Sequence, residues 1–290
     1  MYNTGKELLE KCKELNLPIS EIVLMDETQN TGAEREKIIK NMKAILKVMK
    51  NSTEGYEEKT EPTMGNIIGG EAKKLNSYMK NRKTICGDSI NKAMIRALAC
   101  SEHNASMGRI CAAPTAGSSG ILPSSIITVA EELNLGEDAM INGLLTASGI
   151  GKIITQNATV SGAEGGCQAE CGSAAAMAAA AIVEMAGGTP EMSLTAASIA
   201  LKNIMGLICD PVAGLVESPC SKRNSSGTVN ALISAELALA GIQSIINFDE
   251  TVEAMYNVGI ALHPDFKETA KGGIAATKTG KAIAKRILGN

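Results

Sequence analysis

The stretch Ala174–Val183 reads Ala-Ala-Ala-Met-Ala-Ala-Ala-Ala-Ile-Val, a run with no charge and no hydroxyl. Alanine is the strongest helix former. Gly172 opens the segment and Gly187-Gly188 closes it, so Gly172–Met185 is predicted to be a buried helix. The run is too short for a bilayer, which needs about 20 residues. Its small side chains constrain the rest of the chain. Hydrophobic residues make up 44% of the sequence, yet aromatics are 2% and Trp is absent. A core built from Ala, Ile, Leu, Val and Met favours closely approaching helices over aromatic-rich sheets. The expected class is all-α, mainly helical.

Apolar residues at helical spacing mark Gly5–Leu15, Ala33–Met49, Glu71–Asn81 and Asp88–Ser101, the last with Asp88 or Ser89 as N-cap. Further helical patterns cover Ser124–Leu133, Glu137–Thr155, Thr228–Ala240 and Asp249–Leu262. Thr189-Pro190-Glu191 is a helix start, with Thr as cap and Pro in the first turn of a helix running to about Met205. Residues 51–70 read as a linker or surface loop. The expected organisation is an N-terminal helical segment with its linker, residues 1–60, and one helical catalytic domain, residues 61–290. Three Gly-rich loops interrupt the helices, at Glu102–Ser125, Asn157–Cys171 and Gly206–Gly227, and are expected to converge on one site. Loops of that length in a helical domain are usually functional or disordered. These are poor in charge, which favours function. No strand series and no repeat stands out.

The formal net charge of −3 gives no polyanion-binding signature, so nucleic acid is not an expected partner. The start, Met1–Glu10, is polar and amphipathic rather than a signal peptide. A cytoplasmic protein with no membrane association is expected. Its eight cysteines then read as reduced thiols rather than disulfides. Cys12 and Cys100 fall in helical patterns and read as small core residues.

Cys167, Cys209 and Cys220 differ from these. Each sits in a turn-like, Gly/Pro-rich context: Gly165-Gly166-Cys167, Cys209-Asp210-Pro211 and Ser218-Pro219-Cys220. Thiolates suit zinc and iron–sulfur clusters, and neighbouring Gly lets backbone N–H groups approach crowded sulfurs. The spacing matches neither ferredoxin runs nor paired zinc knuckles. Buried cysteines in tight turns remain the alternative, and Cys171 is a competing thiol.

The motifs Gly166-Cys167-Gln168-Ala169-Glu170, Cys209-Asp210-Pro211-Val212-Ala213-Gly214 and Glu217-Ser218-Pro219-Cys220 resemble those of the iron–sulfur-dependent L-serine dehydratases. So do Pro114–Pro123 and Lys267–Gly273, and the likeness extends from about Asn66 onward. It is a likeness to that family's α subunit, or to the catalytic half of its single-chain members. The resemblance implies a [4Fe–4S] cluster on Cys167, Cys209 and Cys220 with one iron left open. It implies dehydration of L-serine to an aminoacrylate, which yields pyruvate and ammonia. It also implies a separate β subunit in an oligomer. Single-chain relatives can end in a cysteine that plugs the open iron; this chain reads Leu288-Gly289-Asn290 there.

Of the two histidines, His103 opens the small-residue loop and is the candidate base, unless the β chain supplies one; His263 reads as a surface residue. Thr115, Ser118 and Ser119 are candidates for the substrate carboxylate, in front of a helix expected just after Pro123. Asn104 and Ser106 are further candidates. Lys152 and Arg223 are possible anion partners. Two rivals remain: a pyridoxal-phosphate dehydratase, for which Gly117-Ser118-Ser119-Gly120 is weak support, and a helical scaffold held by structural zinc.

Overall fold

The computed structural model describes residues 1–289; Asn290 lies outside the described residues. The described residues form thirteen α-helices and contain no strand, apart from one isolated bridge between Cys209 and Lys267. In order they are α1 Gly5–Leu15, α2 Ile19–Thr31, α3 Arg35–Thr53, α4 Glu71–Asn81, α5 Gly87–Ala105, α6 Ile121–Glu132 and α7 Glu137–Asn157. Then follow α8 Gly162–Gly165, α9 Ser173–Met185, α10 Pro190–Asn203, α11 Cys220–Leu239, α12 Phe248–Ala261 and α13 Lys278–Leu288. The all-α expectation holds. Among the described residues, no helix is long and apolar enough to cross a membrane.

The Ala-dense helix α9 is the axis. Every residue of α9 except Glu184 is buried, and α6, α7, α10 and α11 pack around it. Small residues let these helices close in. On α7, a Cβ at Gly151 would stand 3.0 Å from Met177 Cε of α9, and one at Gly143 would stand 2.7 Å from Met185 Sδ. Interiors this dense leave no slack for an added methyl group. One hydrophobic core runs from Tyr2 and Leu8 through α9 to Met255, so the first helices share it with the rest.

Helix α2 has no counterpart among the sequence expectations. Its apolar residues Ile19, Ile22, Val23 and Leu24 crowd into its first half rather than spreading at helical spacing. The start is completed from elsewhere: the Glu184 carboxylate of α9 accepts the Ser20 N–H at 3.2 Å and the Thr146 hydroxyl at 2.6 Å. A carboxylate at a helix N-terminus also meets the positive end of the helix dipole. Burial nonetheless raises the Glu184 pKa.

Other boundaries differ from the sequence reading. Helix α5 begins at Gly87, with Cys86 rather than Asp88 or Ser89 in the cap position, and runs on to Ala105. Helix α6 begins at Ile121, so Pro123 lies inside its first turn, where its missing N–H costs nothing. Helix α11 begins at Cys220, not near Thr228, and α13 rises from the lysine-rich tail. Thr189 caps α10 as expected, accepting the Met192 N–H at 3.3 Å.

Residues 54–70 carry no regular structure but are tied down. The buried Glu217 carboxylate takes the Thr63 hydroxyl at 2.9 Å and the N–H groups of Gly65, Ile67 and Ile68 at 2.5, 3.0 and 3.1 Å. Glu102 of α5 does the same for the start of α4, accepting from Gly70, Glu71 and Ala72 at 3.1, 2.6 and 3.0 Å.

Candidate active site around four cysteines

Cys167 directly precedes a π-helical turn, Gln168–Gly172, that runs straight into α9. Such turns are frequent at functional sites. Here the turn carries Glu170 and Cys171 into the site, and Gln168 fastens it from behind. The Gln168 side chain donates to Gly165 O and Met255 O, and its own oxygen accepts the Gly206 N–H. The segment before Cys209 is thereby held beside Cys167, and Gln168 N–H donates to Leu207 O at 3.0 Å. Cys209 is clamped on its other side by the tail: its N–H donates to Phe266 O and its carbonyl accepts the Glu268 N–H, both at 2.8 Å. Cys220 opens α11, and the next turn of that helix brings Arg223 and Asn224.

Arg223 and Asn224 are the cross-braces. The Arg223 guanidinium donates to Asp210 Oδ1 at 2.7 Å and to Ile208 O at 2.9 Å. Asp210 spends its other oxygen on the Ile274 N–H at 2.7 Å. Asn224 donates to Gly117 O at 2.7 Å and accepts the Gly120 N–H at 2.8 Å, which locks the Thr115–Gly120 loop onto α11. Thr115 completes the ring, donating its hydroxyl to Glu170 Oε1 at 2.8 Å. The second Glu170 oxygen, Oε2, lies 3.5 Å from the Cys209 thiol.

The thiols share one electrostatic environment. Burial pushes Cys209 far above the usual thiol range, and the charges of Glu170, Cys167, Glu268 and Cys220 add to it. Burial likewise pushes Cys220 up to about 12, with Cys167 and Glu170 adding and Arg223 opposing. Cys171, fully buried, is raised first by its bond to Cys167, whose sulfur lies 3.4 Å away. Cys167 alone moves down, chiefly through that bond and with help from Arg223. Glu170 is raised by burial. Cys167, Cys220, Glu170 and Asp210 thus share one guanidinium, that of Arg223. A group of soft thiol donors with little positive charge beside it fits a cationic metal group, whose binding would displace the thiol protons. Among the described residues, no three His, Cys, Asp or Glu side chains gather closely enough for a single ion. In a four-iron cube each cysteine holds its own iron, so its sulfurs stand farther apart than those around one zinc.

Cys167, Cys209 and Cys220 lie near enough to feel one another's charge, and Thr115 reaches them through Glu170. Ser118 Oγ lies 3.2 Å from Thr115 Oγ1. Ser119 turns inward, donating to Ala116 O and facing Cys100 of α5. His103 and Asn104 lie on the last turn of α5 rather than in a loop. The His103 ring packs edge-on against Tyr56, 5.6 Å between centroids, and lines a cleft with Lys47, Asn51 and Arg109. Burial lowers its pKa. The Ser106 hydroxyl is buried without a hydrogen-bond partner. Lys152 is elsewhere: it pairs with Asp26 at 2.6 Å and lies 4.4 Å above the Tyr2 ring. His263 is exposed, as expected.

Glu170, Asp210, Asn224 and Glu268 were not singled out from the sequence. Glu170 was legible in part, since it sits three residues after Cys167 inside a Gly/Cys motif. Nothing local marks Asn224, whose partners lie 107 and 104 residues away.

The model of the family described as serine dehydratase alpha chain matches residues 14–275. The chain belongs to that family. It is 49% identical over 288 residues to the L-serine dehydratase, alpha chain, of Peptoniphilus asaccharolyticus, covering 99% of each chain. It is 48% identical over 290 residues to the probable L-serine dehydratase, alpha chain, of Bacillus subtilis, covering 100% of this chain and 96% of that one. It is 37% identical over 290 residues to the L-serine dehydratase of Mycobacterium tuberculosis, covering 94% of this chain but 61% of that longer protein.

Proposed function

We propose that the protein is the α chain of an L-serine dehydratase, converting L-serine to pyruvate and ammonia with a [4Fe–4S] cluster held by Cys167, Cys209 and Cys220. One observation carries this reading: cysteines from three separate segments lie near enough to feel one another's charge, with Glu170 and Arg223 beside them. Membership of the serine dehydratase alpha chain family supports it. The cluster, when bound, supplies a Lewis-acidic iron that makes the β-hydroxyl a better leaving group and the α-proton more acidic.

The chain's own residues have distinct tasks in this reading. Arg223 offsets the charge of the thiolates while its other bonds fix Asp210 and Ile208. Thr115 keeps Glu170 in place through its hydroxyl, and Ser118 beside it is the loop's candidate to donate to the substrate carboxylate. Asn224 holds their loop in register with Cys220. Ser119, turned inward onto Ala116 and Cys100, supports the loop from behind. His103, whose pKa burial lowers, is the chain's candidate to take the α-proton; a β chain is the other source of a base. Relatives named as alpha chains, beside longer single-chain relatives, support a separate β chain in the active oligomer. Buried thiols that must stay reduced fit the cytoplasm.

The deciding experiment is iron and sulfide analysis of protein made under nitrogen, paired with a pyruvate assay on L-serine. Brown, oxygen-sensitive protein that forms pyruvate supports the reading. Yellow, borohydride-sensitive protein would instead point to pyridoxal phosphate, and colourless protein with stoichiometric zinc to a scaffold.

A further inference from the structure

The carboxylates around the thiols differ in how much hydrogen-bonding capacity they have left. Asp210 is spent on Arg223 and the Ile274 N–H. Glu217 is spent on four donors from residues 63–68. Glu268 is exposed. Glu170 stands apart. Its Oε1 accepts one bond, from Thr115, and its Oε2 meets the Cys209 thiol at 3.5 Å, a weak donor at long range. A carboxylate offers about four acceptor positions, so most of Glu170's capacity is unspent. The residue is half-buried rather than sealed. Two loops give it room by carrying glycine where they pass it. A Cβ at Gly162 would stand 2.5 Å from Oε2, and one at Gly117 would stand 3.0 Å from Oε1.

A β-hydroxy α-amino acid brings three chemical handles to such a site. Its hydroxyl and carboxylate seek cations and donors; its ammonium, with three donors, seeks an acceptor. We propose that Glu170 receives the α-ammonium of the substrate, with the Thr115 hydroxyl tethering the carboxylate in place. The assignment rests on the dehydratase reading above. It makes Glu170 the residue that separates amino acids from hydroxy acids of the same shape. A charge-assisted bond in a half-desolvated site is strong enough to do so.

The test is binding of two unreactive probes to protein isolated under nitrogen with any chain that co-purifies. α-Methyl-L-serine keeps the amine but has no α-proton to lose; 3-hydroxypropanoate lacks the amine. Calorimetric dissociation constants are compared for wild type and Glu170→Gln, alongside iron content and helical melting. The variant is expected to weaken α-methyl-L-serine about tenfold or more, and 3-hydroxypropanoate by less than about threefold. Equal weakening of both, or no change in either, overturns the proposal. Should Glu170→Gln fail to fold, Thr115→Val, which leaves the carboxylate untethered, is read by the same criterion. A wild-type protein that holds no iron and forms no pyruvate from L-serine sinks the dehydratase reading, and this inference with it. A wild type that does both, with a non-selective variant, sinks this inference alone.

Discussion

The sulfurs of Cys167 and Cys171 lie 3.4 Å apart, four residues apart in sequence, across a π-helical turn. The two thiols are not equivalent. Their hydrogen bond lowers the Cys167 pKa, with help from Arg223, and raises that of Cys171, with complete burial adding. In the proposed reading Cys167 is the ligand and Cys171 its hydrogen-bonding support. Cys209→Ser and Cys167→Ser are expected to abolish iron–sulfur absorbance and pyruvate formation with helical circular dichroism retained. Cys171→Ser is expected to keep most of both. Full activity in Cys209→Ser would remove that residue from the ligand set.

Gly162 passes so close to Glu170 and Cys209 that a methyl group there would sit 3.0 Å from the Cys209 sulfur as well as against the carboxylate. Both neighbours are held by other bonds and cannot retreat freely. Gly162→Ala is expected to cost about 1–3 kcal/mol by overpacking and to lower iron content. Chemical denaturation and iron analysis would check the two effects; wild-type values in both would contradict the tight fit.

Asp210 is 1% exposed and depends on Arg223. Removing one partner of a buried ion pair strands the other charge, at a cost of about 3–5 kcal/mol. Arg223→Ala is expected to approach that loss in denaturant unfolding. It should also speed amide exchange at Ile274, whose N–H rests on Asp210. Protection unchanged at Ile274 would mean the tail is held by other contacts.

Glu184 allows a pH prediction far from the thiols. Its folded pKa lies above the ordinary carboxyl value of 4.5 because burial disfavours the charge. Between the two values the folded state binds more protons than the unfolded state, so stability falls as pH rises through that window. Glu184→Gln keeps an acceptor for Ser20 and Thr146 but does not titrate. The difference in melting temperature between the two proteins should therefore shift in the variant's favour as pH climbs above about 4.5. A pH-independent difference would refute the assignment.

Glu217 gathers four donors from a segment about 150 residues away. Glu217→Ala would leave them unsatisfied at about 1–3 kcal/mol for a lost buried partner, more for a charged one. Proteolytic cleavage within residues 60–70 should then precede global unfolding. Resistance equal to wild type would show that Arg286, which donates to Gly65 O at 2.9 Å, suffices to hold the loop.

The sequence by itself determined the all-helical class, because a core poor in aromatics and dense in alanine is filled by helices in close approach. It marked most helices by periodicity, and the cysteine-bearing turns by their glycines and prolines. Tertiary structure decided the rest. Helix α2 is completed by Glu184, more than 160 residues away, so no local pattern announces it. The Cys220 turn became the start of α11 because Asn224 and Arg223 find partners in other loops. Glu170 became a central group only when Thr115, Gly117, Gly162 and Cys209 closed around it. Helix periodicity reports which face meets the core; it carries nothing about which distant donors a carboxylate will meet once loops have folded onto one another.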